Sequence, residues 1–521
     1  MNGDSAKIAI YDVRGIQEYI FRTNAVKEIV GGSKIVDNLI ITEFENACRE
    51  CKDIEESEIV LDWYNHENYK FDTDTNIKIE VLYYGGGNLV VLFRTEELCK
   101  NVSIIMSKNI MKKAYGLSLA YAFVSKTENY NDDWKNLKQK LSEIKAVTPL
   151  NKPAGILPIV QYDAISGRPL SMVYDNKKVT YEAYQKLKKY EEVQRENSPY
   201  VKEFDKMRTS KEEGLIAIVH IDGNSMGMNI RDIMNGANTY SDAVYRMRKI
   251  SKDIHEVFEI KAINTVKEKI LDICKKHDIR VNENEIPFRP LIQAGDDITF
   301  VCNERIALDI VKEYINSIRE GYMYDEKYKF SACGGIAIIH SHYPFYKGYQ
   351  IAEKCCKSAK KRAKSEGKVD EKIGNFVDFE YCYSGAILDL DNSRKENYTS
   401  IDGNILLKRP YGIYKTKLIE NNDKKEEIFD ENLNDEQKSF SLKAFEDDLK
   451  TLKGISRSTA KLFRDSYYES ESTIEINLLK YDAKNKKQFK KAFTNIAGKP
   501  CAEYYDALEM IDIFGTKEGK E

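Results

Sequence analysis

The sequence predicts an α+β fold with two ferredoxin-like units, a connector and a C-terminal helical domain. Three observations lead to this prediction. A chain of 521 residues should hold three or four domains. The order strand, helices, β-hairpin, helix, strand, helix occurs twice, as in duplicated ferredoxin-like units. The spacing also repeats, because Asp12 lies 76 residues before Asn88 and Asp222 lies 75 residues before Asp297.

The first unit is predicted over residues 1–148. Its elements are assigned from apolar alternation in strands and from apolar spacing of three to four residues in helices. In order they are the strand KIAIYDV from residue 7, helices over 16–22 and 33–49, the hairpin strands IKIEVLYY and NLVVLF, a helix over 95–113, the strand LSLAYAFV and a helix that carries Trp134. The turn GGGN at 85–88 joins the hairpin.

The second unit is predicted over residues 213–385 and repeats this order. Its elements are the strand GLIAIVHI, helical patterns over 226–278, the hairpin strands PLIQ and ITFVC, a helix over 304–319, the strand KFSACGGIAII and a helix over 345–364. The turn AGDD at 294–297 takes the position of GGGN. The two units therefore differ in the residues that their hairpin turns present.

The rest of the chain is assigned by composition. A connector over 149–212 holds half of the ten prolines and the charged helical run TYEAYQKLKKYEEVQREN. From 386 to 521 the chain is highly charged, with KKEEIFDENLNDEQKSFSLKAFEDDLKTLK predicted helical and TIEINLL as the one candidate strand. LKGISRSTAKLF has a faint likeness to a helix-hairpin-helix turn, and an ordinary helix pair is the favoured interpretation.

Charge and hydropathy exclude several classes of protein. With 81 basic and 84 acidic residues the net charge is −3, which excludes a chain coated with basic groups for nucleic acid. No run of 18 apolar residues and no secretory signal are visible, so we expect a cytoplasmic protein with no membrane partner. The pair Cys48 and Cys51 lacks a second pair at zinc-finger distance, and we expect no metal there.

A candidate catalytic centre combines two segments of the second unit. In AGDD, Gly295 lets a nucleotide approach the backbone, while Asp296 and Asp297 project from a rigid turn. Asp222 ends the preceding strand, and if the two strands are neighbours the three carboxylates repel one another unless Mg²⁺ or Mn²⁺ lies between them. A Gly-Asp-Asp turn alone is common, so the argument needs Asp222 and the strand order as well. This set predicts two-metal phosphoryl transfer.

Phosphate-binding groups are predicted beside these carboxylates. After Asp222, the backbone N–H groups of Gly223, Asn224 and Ser225 can face phosphates at the start of a helix. The helix over 345–364 carries many lysines, most of which should be solvated. Lys360 and Lys364 are the two that we expect to turn toward a triphosphate.

The first unit is predicted to bind a nucleotide without catalysis. Its turn carries Gly86, Gly87 and Asn88, which keep the glycines but supply no carboxylate. Gly31-Gly32-Ser33 is predicted to precede a helix, either as an anion-binding loop or as a plain helix cap. Asp12 alone cannot hold two cations.

Five segments together resemble the large palm-containing subunit of type III CRISPR effector complexes, which makes cyclic oligoadenylates. They are YDVRGIQEYIF, VGGSKIV, DGNSMG, QAGDDITF and ACGGIAIIHSHYPFYKGYQIAEKCCKSAKKRAK, within residues 5–385. The resemblance implies that the three aspartates bind metal, that Ser33, Gly86, Gly87 and Asn88 line the ATP site of the non-catalytic palm, and that ATP lies between two palms. It also implies other type III subunits, guide RNA and target RNA as partners.

Three departures from the family pattern bear on function. Ala294 replaces the first of two glycines before the aspartates, and Asn224 replaces an acidic residue that is common in the family. The first palm begins at residue 7, so we expect a form without the N-terminal histidine-aspartate nuclease domain.

The leading hypothesis is a nucleotidyltransferase in antiviral defence, making a cyclic oligoadenylate, a cyclic dinucleotide or an AMP adduct. The alternative is an ATP-binding scaffold without turnover; the chain could act in a complex, alone or as a homo-oligomer.

Overall fold

The computed structural model describes residues 5–515, apart from 53, 66, 68, 148–157, 196–198, 202, 208–213, 282–284, 371–373, 383–388, 422–423, 431, 486–488 and 497–498. Helices and mixed sheets in these ranges confirm the predicted α+β class. No helix in the described ranges is long and apolar enough to cross a membrane. The predicted domain boundaries stay predictions.

The first unit contains a five-stranded sheet in the order β2-β3-β4-β1-β5. Its elements are β1 (Lys7–Arg14), α1 (Ile16–Phe21), α2 (Val26–Val36), α3 (Leu39–Glu50), β2 (Ile59–Val60), β3 (Ile79–Gly85), β4 (Asn88–Phe93), α4 (Glu96–Lys113), β5 (Ser118–Ser125) and α5 (Tyr130–Val147). The following segment holds β6 (Leu170–Tyr174), β7 (Lys177–Thr180) and α6 (Tyr181–Arg195).

The second unit contains a six-stranded sheet in the order β15-β14-β13-β8-β10-β9. Its elements are β8 (Leu215–Gly223), α7 (Met226–Asn235), α8 (Tyr240–Ile254), a π-helical stretch (His255–Lys261), α9 (Ala262–Lys276), β9 (Phe288–Ala294), β10 (Asp297–Cys302), α10 (Ala307–Ile318), β11 (Tyr322–Met323), β12 (Tyr328–Lys329), β13 (Ala332–His340), α11 (Phe345–Asp370) and β14 (Phe376–Tyr381). The strand β15 comes from the C-terminal region.

The remaining elements form the C-terminal region. They are α12 (Leu390–Asn397), β15 (Tyr411–Gly412), β16 (Thr416–Asn421), β17 (Lys424–Phe429), α13 (Asp435–Ser439), α14 (Leu442–Thr451), α15 (Arg457–Glu469), α16 (Glu471–Asn485), β18 (Phe493–Ile496), β19 (Lys499–Ala502) and α17 (Tyr505–Phe514). The segment LKGISRSTAKLF spans the turn between α14 and α15 and the first half of α15, with Gly454 at φ 81° in the turn.

Two predictions for the C-terminal region are wrong. TIEINLL lies in α16 and not in a strand, because Ile474 and Leu478, four residues apart, are the buried pair, while Ile476 and Leu479 are exposed. The run KKEEIF, predicted helical, is β17 and pairs antiparallel with β16. Both patterns are short enough to fit either period, and pairing partners elsewhere in the chain decide the outcome.

The two units share one topology. The four-strand order β3-β4-β1-β5 in the first matches β9-β10-β8-β13 in the second, and all these neighbours are antiparallel. In equivalent registers, Asp12 lies opposite Asn88 and Asp222 lies opposite Asp297. The repeated spacing in the sequence therefore reflects equivalent positions in two related sheets.

Both sheets are buried on both faces. In β1, Ile8 and Ile10 belong to one hydrophobic cluster while Ala9 and Tyr11 belong to another. The strand β8 alternates in the same way, and each cluster contains residues of both units. This explains why the strands read as nearly continuous apolar runs.

Gly31, Gly32 and Ser33 lie inside α2, which corrects the prediction that they precede a helix. The glycines are explained by packing, because a Cβ atom on Gly31 would lie 1.9 Å from the carbonyl oxygen of Lys186 in α6. The absence of a side chain thus lets α6 lie directly on α2. These residues form no helix N-terminus for an anion.

A buried ion pair joins the two units. Arg248 of α8 is fully buried, and its Nη2 lies 2.8 Å from Glu80 Oε1 of β3. The same guanidinium donates to the carbonyl oxygens of Val81 and Leu82 at 2.7 and 2.8 Å. The β3–β4 register shifts between Val81 and Tyr83, so the ladder is irregular where the guanidinium inserts. Arg248 of the second unit therefore binds the backbone of the first unit as well as the carboxylate of Glu80.

A second buried network attaches the C-terminal region to the second sheet. Arg409, just before β15, lies 2.6 Å from Glu509 Oε2 and 3.3 Å from both Asp506 Oδ1 and Glu380 Oε2. Glu380 belongs to β14, whereas Asp506 and Glu509 belong to α17. Burial raises the pKa of Glu509, and the positive charge of Arg409 opposes that rise.

Replacement of Arg248 by Ala should destabilise the protein by about 3–5 kcal/mol, because Glu80 would keep a buried charge and two carbonyls would lose their donor. The shift of the unfolding transition, with urea or heat, measures this. Arg457→Ala is the control: that guanidinium is 67% exposed beside Asp512, and its loss should cost at most about 1 kcal/mol. Equal losses in the two variants would contradict a special role for Arg248.

Candidate functional site

The three predicted carboxylates lie together at one edge of the second sheet. Asp222 at the end of β8 is the cross-strand neighbour of Asp297 at the start of β10, and Asp296 precedes it in the turn. The Gly223 N–H donates to the carbonyl oxygen of Asp296 at 3.2 Å. A Cβ atom on Gly223 would lie 2.9 Å from both Cβ and Oδ2 of Asp296, so only glycine leaves room for that side chain.

Burial and mutual repulsion give these carboxyl groups unusual acidities. Burial raises the pKa of Asp297 to about 8, and the negative charges of Asp222 and Asp296 add to the rise. Burial and the charge of Asp222 raise the pKa of Asp296 to about 6. Within the described residues, Oδ1 of Asp297 is buried and accepts no hydrogen bond, although His220 Nδ1 lies 3.2 Å from it. A cation at this edge of the sheet would stabilise the ionised form of the carboxyl groups.

Lys360 supplies one positive charge. Its Nζ lies 2.6 Å from Asp222 Oδ2 and donates to the carbonyl oxygen of Gly223 at 2.7 Å. The helix α11 that carries it lies close on β13, because a Cβ atom on Gly335 would be 2.0 Å from the carbonyl oxygen of Ala352. The structure therefore places Lys360 on the Asp222 carboxylate. Lys364, one turn further on, is exposed, and no contact among the described residues brings it to this edge.

The carboxylates fit a divalent cation in their chemistry. Mg²⁺ and Mn²⁺ prefer oxygen ligands, and the unsatisfied buried oxygen of Asp297 is such a ligand. As the side chains stand, however, the described part of the chain contains no group of three or more His, Cys, Asp or Glu arranged to hold a metal ion. The predicted metal ligands stay a prediction.

The loop after Asp222 is held by its own hydrogen bonds. The Asn224 N–H donates to the carbonyl oxygen of Ser331, and its side-chain amide donates to Ser331 Oγ and to the carbonyl oxygen of Gly374. Ser225 begins α7 in the left-handed region at φ 57°. Because the N–H groups of Gly223 and Asn224 are both used inside the protein, they do not face outward to phosphates as predicted.

The first unit repeats part of this arrangement. Lys145 of α5 forms an ion pair with Asp12, as Lys360 of α11 does with Asp222. Asn88 stands where the second unit has Asp297, and its amide donates to the carbonyl oxygen of Gly86 at 2.9 Å. The first unit thus keeps the lysine–aspartate pair with a single carboxylate. Sequence analysis did not single out Lys145, because its only mark is its place on the helix that follows β5.

The two hairpin turns meet at their tips. Gly86, Gly87 and Gly295 have φ angles of 58°, 74° and 68°, in the left-handed region that favours glycine. A Cβ atom on Gly295 would lie 3.1 Å from the Gly86 nitrogen. These glycines therefore allow the two turns to touch, and the contact divides a groove between the units.

Two cavities lie in this groove. The larger, of about 470 Å³, is lined by α7 and α8 of the second unit and, from the first unit, by α5 and by the hairpin residues Gly86, Gly87 and Asn88. The smaller, of about 290 Å³, is formed by α1 and α2 and closed by β9 of the second unit. Ser33 lines the smaller cavity and donates to the carbonyl oxygen of Leu291 at 2.6 Å. Each unit thus closes the cavity of the other.

The π-helical stretch contributes a carboxylate that sequence reasoning missed. Glu259 lines both cavities, and its Oε1 accepts from the Gly295 N–H at 2.9 Å. His255 Nδ1 lies 3.0 Å from Glu259 Oε2, and this contact raises the pKa of the imidazole. π-helical turns are frequent at functional sites. No local pattern marks Glu259, because its partner turn lies 36 residues further along the chain.

Comparison with known proteins identifies the second unit. Residues 215–369 match the family model of the Cas10/Cmr2 second palm domain. The Csm1-Csm4 cassette in complex with pppApApA is similar over 98% of this chain and 69% of that chain, with 11% identity and a TM-score of 0.51. The cassette in complex with cA4 is similar over 72% of this chain, with 12% identity and a TM-score of 0.42.

The similar structures match this chain over part of their own length and at low sequence identity. This chain spans 54% of the chain in the cA4 complex, about half its length. No curated protein matches the sequence. At 11% identity, the similarity to the pppApApA complex shows the fold alone. The family model confirms, over residues 215–369, the resemblance to the CRISPR subunit that the second-unit segments indicated.

Metal-free protein should lose stability as the pH rises from about 4 to about 8. In this window the unfolded chain has released the Asp297 proton, whereas the folded chain, with the pKa raised to about 8, still holds it. Asp297→Asn should therefore gain stability relative to the unaltered protein as the pH rises. Thermal unfolding in a chelator at four pH values measures the effect. The exposed Asp232→Asn is the control, and parallel curves for all three proteins would contradict the prediction.

Proposed function

We propose that this chain, a Cas10-type protein by its second palm, is a metal-dependent nucleotidyltransferase that joins ATP-derived nucleotides and releases pyrophosphate. The observation that carries the proposal is the clustering of Asp222, Asp296 and Asp297 beside a groove that both palms close. Asp296 itself lines the larger cavity. A nucleotide in that cavity would therefore have carboxylates at one end.

The two cavities support the binding of two nucleotides. Each is lined by residues of both palms, and both share Tyr84, Gly87 and Glu259. Their volumes, 470 and 290 Å³, are near the range of small-molecule sites. Nucleotides in the two cavities would approach each other where the hairpins meet, which is the arrangement that a reaction between them needs.

In the proposed reaction the 3′-oxygen of one nucleotide bonds to the α-phosphorus of the other. The bond from that phosphorus to the pyrophosphate oxygen breaks, and the hydroxyl proton is released. Asp222, Asp296 and Asp297 would hold two Mg²⁺ or Mn²⁺ ions, which when bound neutralise phosphate charge and acidify the hydroxyl. Lys360 lies at the same edge and would place its ammonium on the phosphates once Asp222 is otherwise paired.

The first palm would bind its nucleotide without holding metal. Asn88 is neutral at the position equivalent to Asp297, and Asp12 is already paired with Lys145. Ser33, Gly86, Gly87 and Asn88 all border the groove. We expect them to shape the site of the second ATP.

The product and the setting belong to the same proposal. The similar Csm1-Csm4 structure holds pppApApA, a linear adenylate. For this chain we propose a cyclic oligoadenylate-like second messenger in CRISPR-type antiviral defence; a cyclic dinucleotide and an AMP adduct are the alternative products. Partners would be other type III CRISPR subunits with guide and target RNA, or none if the chain acts alone or as a homo-oligomer.

Three observations favour a second function, an ATP-binding scaffold with little turnover. Lys360 neutralises Asp222, and the described side chains form no ready metal site. Ala294 and Asn224 depart from the family pattern in the same region. In that case the groove would bind ATP and the carboxylates would remain protonated or paired.

Turnover of ATP separates the two functions. Purified protein with labelled ATP and Mn²⁺, with and without guide and target RNA, should release pyrophosphate, and Asp296→Ala/Asp297→Ala should lose at least about 100-fold of that rate because the charge that holds metal is gone. Mass spectrometry of the adenylate product identifies the linkage. ATP binding without pyrophosphate release under every condition would support the scaffold.

Lys360→Met should lower the rate of pyrophosphate release by about 10-fold or more, because it removes a charge at the phosphates and leaves Asp222 unpaired. Lys357→Met is the matched control on the same helix, since Lys357 is 67% exposed and pairs with Glu353. The two rates are measured at saturating Mn²⁺. Equal rates would exclude a role of Lys360 in turnover.

A further inference from the structure

Both tryptophans of the chain lie in one cavity. The sequence contains only two, Trp63 in the loop between β2 and β3 and Trp134 on α5. Although 71 residues separate them, both line the larger cavity, which also contains Asp296. Both are half-buried, whereas aromatic residues of the first-unit core such as Phe21 and Phe44 are fully buried. The tryptophans therefore face the groove as well as the core.

The two tryptophans differ in what covers their rings. Trp134 stacks with Tyr130 at 9° between the ring planes, and Lys138 Nζ lies 4.7 Å from its ring centroid. Trp63 contacts Tyr64 and Tyr84 edge to face, at 80° and 75°. Among the described residues no ring stacks in parallel on Trp63. Of the two tryptophans, Trp63 is therefore the one without a parallel ring partner.

The second palm contributes aliphatic residues to the lining of the same cavity. They include Met226, Met247 and Ile250 from α7 and α8. Aromatic rings and methionine side chains both offer dispersion contacts and polarisable atoms to a flat ring. The cavity therefore combines the carboxyl group of Asp296 with aromatic and aliphatic lining suited to a heteroaromatic base.

We propose that Trp63 stacks on the purine base of the nucleotide bound at the catalytic palm, with Trp134 closing the end of the pocket. This inference rests on the proposed function. It assigns base recognition at the second palm to a residue of the first palm, so the pocket is complete only when the palms are docked. The ring system of a purine stacks over more area than that of a pyrimidine, so the adenine of ATP gains more from this contact.

Tryptophan emission tests the proposal directly, since every tryptophan signal of the protein comes from this cavity. Trp134→Phe leaves Trp63 as the only emitter, and Trp63→Phe leaves Trp134. The ligand is α,β-methylene-ATP with Mg²⁺, whose bridging carbon blocks the proposed reaction. It should change the emission of Trp63 strongly, and its affinity is measured independently by equilibrium dialysis of labelled analogue.

Trp63→Ala should raise the Kd of the analogue by roughly 10-fold, as expected for loss of one stacked base, while Trp63→Phe should stay within about 3-fold. The uridine analogue should bind at least about 5-fold more weakly than the adenine analogue, and Trp63→Ala should reduce this difference. Tyr322→Ala is the control, because Tyr322 is exposed and lines neither cavity of the groove. Melting temperatures of the variants show that they are folded.

The outcomes separate this inference from the proposed function. If dialysis shows binding but Trp63 emission and the Kd of Trp63→Ala are unchanged, base stacking on Trp63 is overturned and nucleotide binding stands. Equal affinity for the adenine and uridine analogues overturns purine selection in the same way. If dialysis shows no binding, the proposed function fails and the inference fails with it.

Discussion

The buried ion pair between Arg248 and Glu80 is the contact on which the groove depends. It lies between the palms, where no water can replace either partner, and the guanidinium also binds two backbone carbonyls of the first palm. Each cavity is lined by residues of both palms. Both cavities would open if the palms separated. The pair therefore sets the geometry of the site without touching it.

The two palms share one framework but differ in the charge that it carries. Both palms have a helix lysine on a strand-end aspartate, Lys145 on Asp12 and Lys360 on Asp222. Only the second palm adds the carboxylates of the turn, and there burial raises the pKa of Asp297 to about 8. In the first palm one lysine balances the charge of one carboxylate. In the second palm one lysine faces three carboxyl groups, whose negative charge it cannot balance when all three are ionised. That imbalance is a reason to expect cations at the second palm and not at the first.

Close backbone approach is the other recurring constraint. Gly223 leaves room for Asp296, Gly295 touches Gly86 of the other palm, and Gly335 lets α11 lie on β13 so that Lys360 reaches Asp222. A Cβ atom at each position would meet a neighbour at 3.1 Å or less. The sequence shows these glycines, but the atoms that they make room for come from distant segments. Gly31 shows how a glycine can be misinterpreted from sequence alone. Its pattern indicated an anion-binding loop, whereas in the structure it makes room for the backbone of α6.

By itself, the sequence determined the two ferredoxin-like units, their hairpins and the meeting of Asp222 with Asp297, because strand period, turn residues and antiparallel order are local properties. The fold class followed from them. Tertiary structure alone decided that Arg248 binds Glu80, that Glu259 holds Gly295, that TIEINLL is helical and that both tryptophans share one cavity. Those outcomes depend on which distant surfaces pack against each other, and the apolar period of a segment indicates which face is buried but not what covers it.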